Sequence, residues 1–173
     1  MSGKKSSITL LVTILIFGLA SSLSAVNGKS NRATLRGLDG VGVLVEQLPR
    51  EVEAEGLTRN QLQKNVESRL RGAGIRVLTR EECQKRPGEP YLYINVNVNI
   101  AKTESEVYPY SIDAALIQKV SLLRNPKQTT YAVTWSSGGV GSIAREILGE
   151  LAGNVESIVG LFVKAFLSEN PRK

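Results

Sequence analysis

A run of alternating polar and apolar residues in the middle of the chain carries the clearest candidate binding groups. Positions 91–100 are YLYINVNVNI, and in a β-strand successive side chains point to opposite faces. One face would therefore carry a row of phenols and amides, made up of Tyr91, Tyr93, Asn95, Asn97 and Asn99. Asparagine amides and tyrosine hydroxyls both donate and accept hydrogen bonds. This row predicts a surface that binds a sugar, a peptidoglycan strand or an extended polypeptide.

Two other interpretations of the same row stay open. Asparagine and tyrosine can simply keep the outer side of a sheet soluble, although asparagine is depleted in strands. If the strand lies at an exposed sheet edge, its free backbone groups can instead pair with a strand of another chain. The position of this strand within the sheet therefore decides which mode of binding it permits.

A glycine-rich segment, SSGGVGS at positions 136–142, precedes the last helical pattern. The free backbone amides of a helix N terminus bind anions, so Gly139, Gly141 and Ser142 form a candidate anion site. The segment has neither the spacing nor the lysine of a phosphate-binding Walker loop. A flexible connection is the simpler interpretation.

The chain contains no histidine, which removes the most common general base and the most common metal ligand. Catalysis through a histidine-containing serine or cysteine triad is therefore excluded. An alternative hypothesis is a hydrolase that uses Asp113 with Glu104 or Glu106, although no recognisable companion marks such a pair. No stretch resembles a calcium-binding loop, and we expect no metal and no cofactor.

The first 24 residues have the pattern of a secretory signal peptide. Lys4 and Lys5 precede an uncharged apolar run, Ile8–Leu19, and small residues follow that run, which indicates cleavage before Ala25. The apolar run is shorter than the roughly 20 residues that a membrane span requires. We therefore expect export, cleavage and no stable membrane anchor.

The chain has a single cysteine, Cys83, which lies far downstream of the signal peptide. The cysteine that a lipoprotein requires is therefore missing, and the product is expected to be free in the periplasm or secreted. One cysteine cannot form an internal disulfide. Cys83 is expected to be a small buried residue, and the alternative is a link between two copies of the chain.

Composition after the signal peptide predicts one domain. Residues 25–37 are small and polar, as in a flexible linker, and residues 38–173 are enough for a single hydrophobic core. Loss of Lys4 and Lys5 with the signal peptide lowers the formal net charge from +6 to +4. This excess is too small to indicate a nucleic-acid partner.

The first half of the domain is predicted to form a strand, a helix and a second strand. Alternation places the first strand within positions 40–48, with one face made up of Val41, Val43 and Val45. Thr58 is the expected N-cap of the helix. The helix would bury a stripe of residues at four-residue spacing, made up of Leu62, Val66 and Leu70. Ile75–Thr79 is the second strand, and a short helical turn that carries Cys83 follows it.

The second half is predicted to continue with three strands. The YLYINVNVNI run is strand three, while Tyr108–Leu123 fits both a strand and a helix. Because Arg124–Lys127 has the composition of a turn, a hairpin is the simpler account of this region. Strand four then precedes the turn, and strand five follows it with one face made up of Tyr131, Val133 and Trp135.

The last predicted element is a long helix from Ser142 to Leu167 with a wide apolar stripe, which indicates core packing rather than binding to a membrane surface. The predicted fold class is α+β, with one five-stranded mixed sheet. A βαβ unit is followed by a three-stranded antiparallel meander, and two helices pack on one face of the sheet.

The order of these elements, from Val41 to Leu167, resembles the amino-terminal domain of TolB and the envelope domains of the CsgG and LpoB type. The residues that carry the resemblance are the helix start GLT at Gly56–Thr58 and the strand start YLYI at Tyr91–Ile94. The resemblance implies a small exported α/β module that binds partners without catalysis. The chain departs from these families because it has no β-propeller and no lipid-attachment cysteine.

These features together predict an exported, non-catalytic binding module of the cell envelope. Its expected partner is an envelope protein or a cell-wall polymer, bound by the polar face or an edge of the sheet. The two alternatives are a small secreted hydrolase with a carboxylate-based site and an oligomeric surface or stress protein. A homo-oligomer is compatible with the first hypothesis as well.

Overall fold

The computed structural model of this chain describes residues 26–100 and 106–171. Its elements in chain order are α1 (Lys29–Ala33), β1 (Gly42–Val45), α2 (Arg50–Ala54), α3 (Arg59–Gly72), α4 (Arg80–Gln84), β2 (Tyr91–Val98), β3 (Val107–Leu122), β4 (Asn125–Ala144), a 3₁₀ helix (Arg145–Glu150) and α5 (Leu151–Glu169). The predicted signal peptide, residues 1–24, lies outside the described residues.

The strands form one mixed sheet in the order β1-β2-β3-β4. β1 pairs with β2 in parallel, and the other two pairs are antiparallel. The prediction of an α+β fold with one mixed sheet is therefore confirmed. The described residues form four strands, so the predicted number of five is wrong.

The strand predicted at Ile75–Thr79 is replaced by a single parallel bridge between Val41 and Val77. Side chains of α3 occupy the edge of β1 beyond this bridge. Gln63 donates to the carbonyl oxygen of Val43 and accepts from the amide of Val45, both at 3.2 Å. Because these side-chain bonds take the place of a neighbouring strand, the pairing ends after one bridge.

Helix α3 follows its sequence signals closely. The side chain of Thr58 accepts a hydrogen bond from the amide of Gln61 and so caps the first turn, and the predicted stripe of Leu62, Val66 and Leu70 is fully buried. The side chain of Gln61 does not bond back to the N-cap but donates to Asn65 in the next turn. The same face of α3 contacts α5 and β1.

The core lies between these helices and one face of the sheet, here called the inner face. The inner residues of β2, which are Leu92, Ile94, Val96 and Val98, are all buried. Trp135 of β4 is also fully buried, and its ring meets Phe162 of α5 edge-on at a centroid distance of 5.2 Å. Phe166 continues the aromatic contact one turn later, 5.9 Å from Phe162.

The segment predicted as a flexible linker, residues 25–37, is part of the fold from Val26 onward. Val26 accepts a hydrogen bond from the amide of Ser136, and Asn27 accepts one from the indole nitrogen of Trp135. Leu35 is fully buried in the core. The small polar composition of this segment gave no sign of these long-range contacts.

The segment Tyr108–Leu123 is a strand, as the hairpin interpretation predicted, and β4 is much longer than expected. β4 continues through the glycine-rich segment to Ala144, so the helix does not begin at Ser142. A 3₁₀ turn intervenes, and α5 begins only at Leu151. The segment Arg145–Glu169 is long and apolar enough to cross a membrane by length and composition, but α5 buries its apolar stripe in the core.

Candidate functional site

The candidate binding surface is the sheet face opposite the core, here called the outer face. Tyr91, Tyr93, Asn95 and Asn97 of β2 point to it, because their neighbours in the strand are the buried inner residues. Asn99 lies just beyond the end of β2, and its backbone N–H donates to the carbonyl oxygen of Pro109 at 2.9 Å. The residues of β3 that stand opposite the row are Ile117, Ala115, Asp113 and Ser111.

Strand β2 lies between β1 and β3, but only residues 91–94 pair on both sides, whereas residues 95–98 pair with β3 alone among the described strands. Strand addition is therefore excluded for the first half of the Tyr/Asn strand, and beside residues 95–98 it stays a prediction. The edge of β1 is also occupied, since Arg59 donates to Val45 at 2.8 Å beside the bonds made by Gln63. The side chains of the Tyr/Asn row are the groups that the full length of the row offers to a partner.

A register shift brings two further residues to the outer face. Leu116 pairs with Trp135, but Ile117 pairs with Val133, which leaves Thr134 as an extra residue in β4. Such a bulge reverses the alternation of side chains. Tyr131 and Val133 therefore point outward while Trp135 points into the core, and the prediction that these three share one face is wrong.

Carboxylates hold two tyrosines of the outer face in fixed positions. Tyr93 donates to Glu46 at 2.5 Å, and Tyr131 donates to Glu89 at 2.5 Å. Lys119 also donates to Glu89 at 2.8 Å. These hydrogen bonds lower the pKa of both glutamates, and for Glu89 the bond from Lys119 is the larger cause. Each carboxylate is thus ionised and already engaged within the face.

The same hydrogen bonds raise the pKa of both phenols, because a phenol that donates to a carboxylate loses that bond on ionisation. The bond to Glu46 raises the pKa of Tyr93 to about 12, with burial as a second cause. The bond to Glu89 raises the pKa of Tyr131. Both tyrosines therefore keep neutral hydroxyls at physiological pH.

Two depressions lie at opposite ends of the outer face. The aromatic depression, with a volume of about 510 Å³, lies where α4 meets the strands and includes Tyr91, Tyr131, Leu44 and Arg80 in its lining. The rings of Tyr91 and Tyr131 are 6.5 Å apart there. Cavities of this size are typical of binding sites.

The polar depression, with a volume of about 550 Å³, lies at the other end. It brings together two groups of residues that the sequence analysis treated separately, since its lining includes Asn97 and Asn99 together with Gly141 and Ser142. The amide of Asn97 is 3.4 Å from the hydroxyl of Ser111. Asn95 does not line this depression and stands opposite Asp113.

The anion site predicted at the start of the last helix lacks the geometry on which it depended. Gly139, Gly141 and Ser142 lie within β4 and pair with Ile112, Tyr110 and Pro109. Their backbone is that of a strand, so they do not offer the amides of a helix N terminus. The interpretation of this segment as a flexible connection is wrong for the same reason. Anion binding by these residues stays a prediction, but a helix N terminus no longer supports it.

The other groups considered for chemistry are dispersed. Asp113 and Glu106 are seven residues apart along one extended segment, which corresponds to about 23 Å. Glu104 lies outside the described residues. Cys83 is buried as expected, and burial raises the pKa of its thiol. Within residues 26–100 and 106–171, no three Cys, Asp or Glu side chains lie close enough together to hold a metal ion.

Sequence reasoning missed Glu46, Glu89, Lys119 and Tyr131 as part of this surface. Glu89 and Tyr131 are 42 positions apart in the chain, and nothing local marks their contact. The alternation of Tyr131, Val133 and Trp135 was evident in the sequence, but the bulge that turns Tyr131 outward was not. Comparison of the chain with known protein families, curated proteins and solved structures finds no match.

The hydrogen bond from Tyr93 to Glu46 makes a direct prediction. In Glu46→Gln, we expect the pKa of Tyr93 to fall from about 12 towards its ordinary value of 10.0, because a neutral amide no longer opposes ionisation of the phenol. Because the raised pKa belongs to the folded state, this bond stabilises the fold below about pH 10. That stabilisation is lost as the pH rises towards 12.

The measurement is an NMR titration of ¹³Cζ-labelled tyrosine up to pH 11. Glu89→Gln is the matched control, since it should lower the pKa of Tyr131 and leave that of Tyr93 unchanged. An equal pKa of Tyr93 in the native chain and in Glu46→Gln would contradict the hydrogen bond.

Proposed function

We propose that this protein is an exported, non-catalytic binding module of the cell envelope that holds a partner against its outer face. The observation that supports this most is the combination of fixed tyrosines and exposed apolar side chains on that one face. Large exposed apolar side chains there are Leu44, Val107, Tyr131, Val133 and Val140. Contiguous apolar surface with polar surroundings is typical of interaction sites.

An envelope protein is the partner that the chemistry of the face favours. Exposed fractions of 43 to 52% for Leu44, Tyr131, Val133 and Val140 leave much apolar area to bury. The charged groups beside them are already paired within the face, as in the bonds of Glu89 to Lys119 and Tyr131. Around Tyr131 a partner would therefore meet charges that are already paired, and depletion of free charge is characteristic of the centres of protein interfaces.

A cell-wall polymer is the second candidate, and the polar depression is the feature that favours it. Asn97, Asn99, Ser111 and Ser142 supply uncharged donors and acceptors along one hollow. Hydroxyl and acetamido groups of a glycan can bond to such side chains.

The fold-level resemblance to the TolB amino-terminal domain and to CsgG and LpoB domains supports the same kind of role, as part of this proposal. A periplasmic or secreted location follows from the predicted signal peptide. The hydrolase alternative has less support because Asp113 and Glu106 are far apart. A disulfide-linked oligomer has less support because Cys83 is buried.

Site-specific photo-crosslinking in the source cells tests the proposal. A benzophenone amino acid replaces Val133 or Val140 on the outer face, and Leu161 or Ile147 serves as the control on the helical side. The four side chains are matched, with exposed fractions of 46, 52, 42 and 44%. We expect a discrete crosslinked protein from the outer-face positions alone, and we expect Tyr93→Ala combined with Asn97→Ala to reduce its yield at least fivefold.

The cell-wall candidate is tested in parallel by co-sedimentation with purified insoluble peptidoglycan. Sedimentation that the Asn97→Ala change abolishes, without a protein crosslink, would replace the protein partner by the polymer. Equal crosslinking from both sides of the molecule, with no sedimentation, would overturn the outer face as a binding surface. Circular dichroism of each variant checks that the fold is intact.

A further inference from the structure

The hairpin of β3 and β4 extends well beyond the rest of the sheet. The last residue of β2 to pair with it is Tyr91, opposite Ile117, whereas the hairpin continues to Leu122 and Asn125. The residues beyond the pair of Lys119 with Tyr131, positions 120–130, are here called the arm. β3 contributes Val120, Ser121 and Leu122 to the arm before the turn, and three strand residues span about 10 Å, so the arm projects by roughly that distance.

The arm is exposed along almost its whole length. Every residue from Leu123 to Tyr131 is exposed, and Leu123 at the turn has an exposed fraction of 99%. A two-stranded ribbon with no third strand or helix against it is only marginally stable in water. The arm therefore contributes little to the core and is free to contact something outside the domain.

The charge of the arm is of one sign. The sequence has no acidic residue from Ala114 to Arg145, and the arm carries Arg124 in its turn and Lys127 just after it. The ion pairs among the described residues, such as that of Lys119 with Glu89, lie outside the arm. The arm thus presents two cations and one fully exposed leucine at its end.

We propose that the arm is a membrane-contact device, which inserts Leu123 among the headgroups of an anionic lipid bilayer while Arg124 and Lys127 bind lipid phosphates. Cations next to an anionic surface are attracted to it, and a buried aliphatic side chain adds a hydrophobic contribution. The contact is weak and reversible, since two cations and one leucine fall short of a stable anchor. It is independent of the partner held by the outer face.

A bilayer suits the arm better than an acidic protein. A standard protein interface needs about 800 Å² from each partner, and the end of a two-stranded ribbon offers a much smaller area. A bilayer requires no complementary shape and accepts a single apolar side chain at its surface. An acidic protein partner is retained as an outcome of the test.

The test measures binding of the purified, processed protein to vesicles at low salt. We expect sedimentation with vesicles that contain phosphatidylglycerol and little with pure phosphatidylcholine, and we expect binding to fall in 0.5 M salt because salt screens the cations. Arg124→Gln with Lys127→Gln should weaken binding at least tenfold, as each cation accounts for about fivefold. Leu123→Ser should weaken it further.

A matched control makes the same three changes away from the arm, as Leu161→Ser, Lys64→Gln and Lys164→Gln, all at exposed positions. This variant should bind vesicles as the native chain does. A second readout uses an environment-sensitive NBD label at Leu123→Cys in a Cys83→Ala background. Its emission should shift to shorter wavelength with anionic vesicles, whereas a label at Leu161→Cys should not shift.

Three results would overturn the proposal. They are a failure of the native chain to prefer anionic vesicles, equal loss of binding in the arm variant and the control variant, and an unshifted NBD spectrum at position 123. A photo-crosslink from position 123 to an acidic protein, with no vesicle binding, would assign the arm to that partner instead. None of these outcomes depends on whether the outer face binds a protein.

Discussion

Phe162→Ala is expected to lower the free energy of unfolding by about 4 kcal/mol, as large-to-small changes of a fully buried phenylalanine do. Phe162 is fully buried and contacts the rings of both Trp135 and Phe166. It therefore joins α5 to the long strand β4 at the centre of the core. Truncation of the side chain leaves a cavity between α5 and the sheet. These two elements cannot both move to fill it.

The measurement is urea denaturation followed by the fluorescence of Trp135, the single tryptophan of the chain. Leu161→Ala is the control, because the neighbouring side chain is 42% exposed on the same helix. It should cost less than about 1 kcal/mol. Equal losses in the two variants would mean that α5 does not face the sheet in the orientation described.

Local signals were enough to predict some elements almost completely. Thr58 and the stripe of Leu62, Val66 and Leu70 defined α3, because a cap and a four-residue period are set within one helix. The alternation from Tyr91 to Val98 defined β2 and its two faces, since a sheet with one buried face imposes a period of two. These patterns depend on neighbours in sequence, so the sequence displays them directly.

Other features depend on contacts between distant residues and were mispredicted. Ile75–Thr79 had the composition of a strand, but Gln63 and Arg59 of α3 had already taken the backbone groups with which it would pair. The bulge at Thr134 reversed the face of Tyr131, and a single-residue insertion leaves no mark in a hydrophobic pattern. The pairing of Tyr131 with Glu89 could not be anticipated for this reason.

The candidate site likewise has one part that the sequence predicted and another part that it did not. The Tyr/Asn row was predicted as a row and lies on one face of the sheet, because a strand period was sufficient to specify it. The carboxylate that fixes Tyr93 follows the end of β1, and the carboxylate that fixes Tyr131 lies in the turn before β2. Only the folded sheet brings these carboxylates next to the two tyrosines. The extra apolar side chains of the face, such as Val133 and Val140, follow from the unexpected length and bulge of β4.

The glycine-rich segment shows most clearly how a local pattern can mislead. Its glycines allow close packing within a strand and do not form a turn. A Cβ atom at Gly138 would lie 2.5 Å from the carbonyl oxygen of Ile112 and 2.7 Å from a carboxylate oxygen of Asp113. A Cβ at the next residue, Gly139, would have Ile158 as its nearest neighbour, at an ordinary distance of 3.8 Å. Two adjacent glycines of one strand therefore differ sharply in what they tolerate.

Gly138→Ala is expected to destabilise the protein by about 3 kcal/mol, at the upper end of the range for overpacked sites, because the backbone oxygen of Ile112 cannot move without breaking the pairing of β3 with β4. Gly139→Ala is the control and should be neutral or stabilise by up to about 1 kcal/mol, since alanine restricts the unfolded chain more than glycine does. Thermal or urea denaturation of both variants measures the difference. If the segment were a flexible connection, both changes would have the same small effect, and that result would contradict the strand that runs through Gly138 and Gly141.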